Sequence, residues 1–420
     1  MQTVEAEARR IINALKTGVI PDADLDLICV GRERMLKEFK RCLDLVEEGG
    51  SCVKFLSGEY GSGKSFMLGK VRQLAQKSNF AVSRVQISRS AHLNNTDVFY
   101  YSIMHQLGTE SASENGSGFE ELFNLWIERL KGNPSREAAS REIRDAVSSL
   151  NSYNSAFSRA FLTYIRARIA QDVELSDAAA SWIKGEKNLP AAVKARFDVK
   201  GDIDKSTSMD SLRAFIHLLR LIGYSGLAVF VDELELVMSL RSDIRKGCYE
   251  NLRYIVDSCG ENGFGGCFFV FAGTTAIFED PEKGIKTYQA LEQRLGEAGP
   301  KANTGMTDMR QTVMRLEKLT NDDLQNLTNR IILIHQTAYG WELKISGEAA
   351  RNWTLLTLGK EKGAGRPVNT REFIIKLVEI LDILEQNPGY NLYNTELKLT
   401  NRNGVDMFVN VLPKKQDRQD

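Results

Sequence analysis

Gly58-Glu59-Tyr60-Gly61-Ser62-Gly63-Lys64-Ser65 fills the pattern G-x-x-x-x-G-K-[ST] at every position. Each residue type has a physical task. Glycine lets the backbone wrap closely round phosphate oxygens with its N–H groups turned inward, and the helix that follows adds its positive N-terminal end. Lys64 can reach β- and γ-phosphates, and Ser65 can ligate Mg2+. The flanks agree. Cys52–Leu56 is a short apolar run, the pattern of a buried strand, and a helix is expected from about Lys64 to Lys77. Phe80–Ile87 alternates and is rich in β-formers, so it reads as a second strand. Strand, glycine loop, helix and strand form the unit of a parallel α/β sheet.

Working outward, Leu227–Val231 is a second buried apolar run, and it ends in Asp232 and Glu233. A strand closed by two carboxylates suits a Mg-ATP site: Asp232 in the metal's shell, Glu233 orienting or polarising the attacking water. Glu235 follows and reads as a charge at a helix start. A third run, Cys267–Ala272, ends in Gly273-Thr274-Thr275. Helical periodicity fills much of the rest: 1–18, 32–48, 97–108, 209–222 and 244–258, then 321–338, 347–358 and 370–386. Between about 110 and 205 helical patterns recur (120–131, 136–149, 154–171, 175–185) and strand patterns are scarce, so this stretch reads as a helical insertion. The expected domains are 1–316, the nucleotide-binding α/β part, and 317–420, a helical lid with a C-terminal tail.

Composition excludes some classes. Of 420 residues, 42% are hydrophobic and 26% charged, the profile of a globular chain that builds a core without disulfide or metal staples. Lys+Arg and Asp+Glu balance at 55 each, so no global basic footprint for nucleic acid exists, though local patches survive in a neutral total. Cys29, Cys42, Cys52, Cys248, Cys259 and Cys267 form no C-x-x-C pair and read as reduced, buried thiols. Met1–Arg10 has no signal-peptide character and no apolar run is long enough to span a bilayer; a cytoplasmic protein without membrane contact is expected. His92, His105, His217 and His335 show no triad or metal spacing. Phe99, Tyr100 and Tyr101 read as helix packing, and Trp126 and Trp182 as the insertion's own core.

Together these elements look like an AAA+ module of the initiator or origin-recognition type. The resemblance narrows further. Ala8-Arg9-Arg10-Ile11-Ile12-Asn13-Ala14-Leu15-Lys16-Thr17-Gly18-Val19-Ile20-Pro21 precedes Val30-Gly31-Arg32-Glu33. The phosphate loop runs into Phe66, with Asn79-Phe80-Ala81-Val82-Ser83 beyond it, and Leu221-Ile222-Gly223-Tyr224-Ser225-Gly226-Leu227 leads to Asp232-Glu233-Leu234-Glu235. This order resembles the BrxC/BrxD P-loop family, whose members occur in BREX and related bacterial anti-phage systems; the length is similar to the smaller BrxD type.

The resemblance implies an AAA+ P-loop NTPase core with a parallel sheet, a helical insertion and a C-terminal helical lid. It implies ATP and Mg2+ as cofactors, with nucleotide contacts at Gly58, Glu59, Tyr60, Gly61, Ser62, Gly63, Lys64, Ser65, Phe66 and Asp232. Thr274 or Thr275 takes the sensor 1 role toward the γ-phosphate. Arg294 is the candidate arginine finger, and Arg371, then Arg366, the candidate sensor 2. Ile28, Val30 and Gly31 would line the adenine pocket. For each arginine the plain alternative is a surface charge. A finger acts on a neighbour's ATP, so a homo-oligomer is implied, as is a DNA-associated role with defence-system partner proteins. The alternative is a nucleotide-gated switch that assembles with a partner protein without acting on DNA. From the motifs alone, Lys64→Ala is expected to abolish ATP binding. Glu233→Gln is expected to keep binding and stop turnover; normal hydrolysis by the purified variant would remove Glu233 from the catalytic assignment.

Overall fold

The apolar run that begins at Cys52 is a strand, β1 (Cys52–Ser57), set inside a six-stranded sheet. Its companions are β2 (Phe80–Gln86), β3 (Leu107–Gly108), β4 (Gly226–Asp232), β5 (Cys267–Gly273) and β6 (Val313–Arg315), in the order β3-β2-β4-β5-β1-β6. Neighbours run parallel except β3, which pairs antiparallel with β2. β4 and β5 are buried along their full length, which is why their sequences are unbroken apolar runs. The register aligns Ser57 with Gly273 and Gln86 with Asp232. The carboxyl ends of β1, β5, β4 and β2 therefore finish along one edge, where open α/β sheets bind ligands. β3 and β6, of 2 and 3 residues, lie outside the strands expected from sequence, because so short a run shows no period.

This computed structural model describes residues 2–21, 23–88, 92–108, 118–296, 308–362, 369–388, 397–400 and 406–409. In chain order the helices are α1 (Gln2–Lys16), α2 (Glu33–Glu47), α3 (Lys64–Lys77), α4 (Thr96–His105), α5 (Gly118–Lys131), α6 (Arg136–Leu150), α7 (Ser155–Ala170) and α8 (Val173–Ile183). Then come α9 (Ala191–Ala195), α10 (Ser208–Leu221), α11 (Ser242–Gly260), α12 (Thr275–Glu279), α13 (Gln289–Leu295), α14 (Asn321–Tyr339), α15 (Gly347–Lys362) and α16 (Thr370–Gln386). The expected fold class, an α/β P-loop core with a parallel sheet, a helical insertion and C-terminal helices, is the one the chain adopts. Past α16, Leu397–Thr400 (β7) and Asp406–Val409 (β8) pair antiparallel. Among the described residues no helix is long and apolar enough to cross a membrane.

The chain divides into two compact units: Met1–Glu33 with Tyr60–Gly63 and Glu317–Asp420, and Arg34–Glu59 with Lys64–Leu316. Sequence alone grouped 1–33 with the segment to 316; packing groups it with the C-terminal helices. The reason is the apolar stripe of α1, where Ala8, Ile11, Ile12 and Leu15 are buried, and α1 packs on α14 and α16. A polar cluster ties these helices. Trp341 Nε1 donates to His335 Nδ1 at 2.8 Å, so His335 presents its Nε2–H to Asp382 Oδ1 at 3.0 Å. Burial lowers the pKa of His335 and Asp382 works against it. Because an indole N–H can only donate, Nδ1 accepts from Trp341 and the ring's proton sits on Nε2, facing Asp382.

In the sheet-bearing unit, strand alternation sorts side chains to two faces. α2 and α3 cover one face, packing Phe39, Leu43, Leu68 and Val71 against Leu56, Phe230 and Val270. The other face carries Phe55, Val229, Val231, Phe269 and Phe271, under α10, α11 and the insertion helices. Trp126 and Trp182 belong to that same continuous cluster. This corrects the expectation of a separate core for the insertion. Phe119 of α5 stacks on Phe215 of α10 at 6.2 Å, so insertion and sheet share one interior. Phe99 and Tyr100 are buried as expected, while Tyr101 is exposed and stacks on His105. Among the described residues no disulfide forms; Cys29 and Cys52 are half-buried where full burial was expected.

β1 also holds a buried charge. Lys54 Nζ pairs with Glu38 Oε1 of α2 at 2.8 Å and donates to the carbonyls of Arg310 and Gln311 at 2.9 Å each, clamping the chain just before β6. Burial by itself would raise the pKa of Glu38. Hydrogen bonds from Arg41 and Lys54 outweigh it and bring the carboxyl down to about 2. Glu38→Ala leaves Lys54 buried without its counter-charge and is expected to destabilise the protein by about 3–5 kcal/mol in urea unfolding. A change near zero would mean that Lys54 needs no partner there. Because the folded pKa lies below the ordinary 4.5, Glu38 contributes fully above that pH, and its contribution fades as the pH falls toward about 2. Glu38→Gln should lack that acid-dependent share.

Candidate functional site

The phosphate loop leaves β1 at Gly58, whose N–H donates to the Gly273 carbonyl of β5 at 3.2 Å. Gly61 (φ +75°) and Gly63 (φ +100°) take left-handed backbone angles that glycine adopts without strain. A Cβ on Gly63 would meet nothing within 4 Å, so the angle and not crowding demands glycine there. α3 opens at Lys64, and its first-turn N–H groups have no intrahelical acceptors. Ser62 Oγ is buried and has no hydrogen-bond partner among the described residues. Lys64 is buried too, and its Nζ donates to the carbonyls of Gly58 at 2.9 Å and Glu59 at 3.1 Å. Burial lowers the pKa of Lys64, and the carboxylates of Glu235, Asp232 and Glu59 oppose the shift. A buried hydroxyl lacking a partner, a buried ammonium resting on loop carbonyls, and a run of free N–H groups fit a polyphosphate.

Asp232 closes β4 and is buried; its Oδ1 accepts from the Glu233 N–H at 2.9 Å, and Arg84 of β2 lies 3.9 Å from its Oδ2. Glu233 is half-buried with φ +61°, an angle that costs a non-glycine residue about 1 kcal/mol or more. Among the described residues no cluster of three or more His, Cys, Asp or Glu stands ready for a metal. The donors expected here are one hydroxyl, Ser65, and one carboxylate, Asp232. Such a pair of hard oxygens suits Mg2+, which keeps waters and takes phosphate oxygens beside one or two carboxylates.

The two threonines after β5 part company. Thr275 Oγ1 donates to Glu59 Oε1 at 2.8 Å, so its hydroxyl is engaged by the loop itself. Thr274 uses its N–H to reach Glu235 Oε2 at 3.1 Å. Its hydroxyl engages no described residue. Glu235, read from sequence as a mere helix-start charge, thus belongs to the site's hydrogen-bond network. Arg84 is a second residue that sequence reasoning missed. No motif marks either, because their partners lie on other strands.

Arg294 of α13 is exposed, ion-paired with Asp257 of α11, and its Nη1 donates to the Ala290 carbonyl at 2.7 Å. The remaining candidates lie in the unit built from α1, Tyr60–Gly63 and the C-terminal helices. Tyr60 is exposed, Ile28 and Val30 are buried, and a Cβ on Gly31 (φ +63°) would sit 2.5 Å from the Asp323 carboxylate. Arg330 pins that segment by donating to the carbonyls of Asp26 at 2.7 Å and Cys29 at 3.1 Å. Arg371 meets Gly61 through its backbone, its N–H donating to the Gly61 carbonyl at 3.3 Å, while its side chain packs on Gly18. Thr370 is the first helical residue of α16. Asn369 is the cap, because its Oδ1 accepts from the Glu372 N–H at 2.9 Å and Glu372 returns a carboxylate to the Asn369 N–H. Arg366 lies outside the described residues.

Residues 4–400 match the family described as BREX system ATP-binding protein BrxC/D. The phosphate loop supplies the ATP-binding element that this description requires. Among solved structures the chain is similar to the Aeropyrum pernix ORC2 protein, determined as ADPNP and ADP complexes, with 12% identity and a TM-score of 0.35 over 86% of this chain and 71% of that one. No curated protein matches the chain.

Of the two threonine hydroxyls, that of Thr274 is the one uncommitted among the described residues, so Thr274→Val is expected to lower ATP turnover by about tenfold or more. Thr275→Val should change it less than about threefold, since it breaks only the bond to Glu59. Equal losses in a steady-state phosphate-release assay would reverse that choice.

Proposed function

We propose that this chain, which belongs to the BREX system ATP-binding protein BrxC/D family, hydrolyses ATP with Mg2+ and works as a DNA-associated motor or loader component of bacterial anti-phage defence. The observation that carries the hydrolytic part is the loop: buried Lys64 resting on the carbonyls of Gly58 and Glu59. The defence role rests on the family.

The chain's residues divide the work. The loop's N–H groups and Ser62 bind phosphate oxygens, and Lys64 exchanges two carbonyl acceptors for the β- and γ-phosphates. Ser65 and Asp232 would hold Mg2+, which would supply charge neutralisation for the phosphates. Glu233, whose carboxylate is free of described partners, orients the attacking water and accepts its proton. Thr274 offers its hydroxyl to the γ-phosphate. Arg294 releases Asp257 to act on a neighbouring subunit's ATP, so the active form is a homo-oligomer. Arg371 remains the proposed sensor 2.

A finger supplied in trans raises phosphoryl-transfer rates by about 10³–10⁵-fold, so the rate per subunit should climb with protein concentration and flatten in Arg294→Ala. Double- or single-stranded DNA should raise it further, with a steep salt dependence. ATPase assays across concentration, with and without DNA, check both points. ATP-dependent oligomerisation with turnover indifferent to DNA would replace the motor reading with a nucleotide-gated switch that binds a partner protein.

A further inference from the structure

We propose that Glu235 is a positioning residue of the nucleotide site: its carboxylate holds the Gly273–Thr275 turn against the phosphate loop, and turnover depends on that hold. The inference rests on the ATPase reading above and adds a residue to it.

The geometry begins at the end of β4. Glu233 takes a left-handed backbone (φ +61°, ψ +38°), and the chain turns at once into a short 3-10 helix, Leu234–Ser239. That turn brings Glu235 to the end of β5. There the strand pairing stops, since Val231 opposite Phe271 is the final β4–β5 pair. The Thr274 N–H has passed beyond any strand acceptor, and Glu235 Oε2 takes it at 3.1 Å. No other residue of the β4 turn forms a hydrogen bond to this segment among the described residues.

The same turn is held from its other side by the phosphate loop. Gly273 accepts from the Gly58 N–H at 3.2 Å, and Thr275 donates its hydroxyl to Glu59 at 2.8 Å. Three bonds thus fix three consecutive residues, two from the loop after β1 and one from the turn after β4. The packing is tight as well as bonded. A Cβ on Gly273 would lie 2.8 Å from Ile277 Cγ2, 3.2 Å from Leu234 Cβ and 3.5 Å from Glu235 Oε2. If Glu235 lets go, Thr274 loses, among the described residues, its one hydrogen bond to the turn that follows Asp232 and Glu233. Its hydroxyl then moves independently of them. Displacing a positioned group by about 1 Å can cost about 10²-fold in rate.

Charge makes a second consequence readable. Glu235 is the carboxylate that most opposes the lowered pKa of Lys64. A negative group there disfavours an incoming triphosphate, so its removal should not weaken ATP binding. Position and affinity therefore respond in different directions.

Two variants separate them. Glu235→Ala removes the acceptor; Glu235→Gln removes the charge and keeps an amide oxygen for the Thr274 N–H. The full chain is assayed for ATP affinity by direct titration and for kcat by phosphate release. Glu235→Ala should lose about tenfold to a hundredfold in kcat with ATP bound as tightly as in the parent or tighter. Glu235→Gln should restore most of that loss. Amide hydrogen exchange across Gly273–Thr275, measured without nucleotide, should speed up in Glu235→Ala and not in Glu235→Gln. Unchanged kcat in Glu235→Ala, or a Gln variant as slow as the Ala variant, would overturn the proposal while leaving the ATPase reading intact. A parent chain that shows no Lys64-dependent ATP binding would overturn both.

Discussion

The site depends on the backbone register between β1 and β5. Six residue pairs run from Cys52 opposite Phe268 to Ser57 opposite Gly273, and the last ladder step continues as Gly58 N–H to Gly273 carbonyl. That register decides where the phosphate loop begins relative to the threonine turn. The β2–β4 register, with Gln86 opposite Asp232, brings the acidic end of β4 to the same edge. A slip of one residue would invert every side chain on a strand. It would bury what now faces α2 and α3 against the insertion helices. The fully buried apolar runs of β4 and β5, packed on both faces, leave no room for such a slip.

Charge burial is the second constraint. Lys54 and Lys64 are both buried, and both lie on the β1–loop–α3 segment. Lys54 is fully committed: Glu38 balances it and backbone carbonyls occupy its remaining protons. Lys64 is only provisionally committed, to two carbonyls that carry no net charge. An ion pair locks the first into structure, while the second keeps a charge available for phosphate. The same element type serves scaffold and chemistry, and the identity of the acceptor separates them.

The insertion changes the cost of that scaffold. It covers one face of the sheet with the shared cluster around Phe119, Trp126, Phe161 and Phe215, so the strands that carry the site are dry on both sides. Removing the insertion would expose a face of the sheet, which makes it part of the nucleotide-binding unit's own interior and not an appended module.

Much of this was legible in the sequence, and for identifiable reasons. Gly58–Ser65 is a local pattern whose chemistry is written in adjacent residues, and α3 begins at Lys64 and ends at Lys77, the bounds its periodicity implied. The strands around it announced themselves because burial on both faces requires unbroken apolar runs. What periodicity cannot carry is a strand of 2 or 3 residues, such as β3 and β6, or a cap decided by one side-chain bond, as at Asn369. The choice between Thr274 and Thr275, and the part taken by Glu235, were out of reach for a different reason. They rest on hydrogen bonds that cross from one strand end to another, between residues 39 and 216 positions apart. The phosphate loop, the α/β class and the acidic strand end can be read from neighbouring residues, because each is local. Only the tertiary structure decided which hydroxyl is uncommitted and which helices share the core with the sheet, because those follow from parallel register and from side chains meeting across strands.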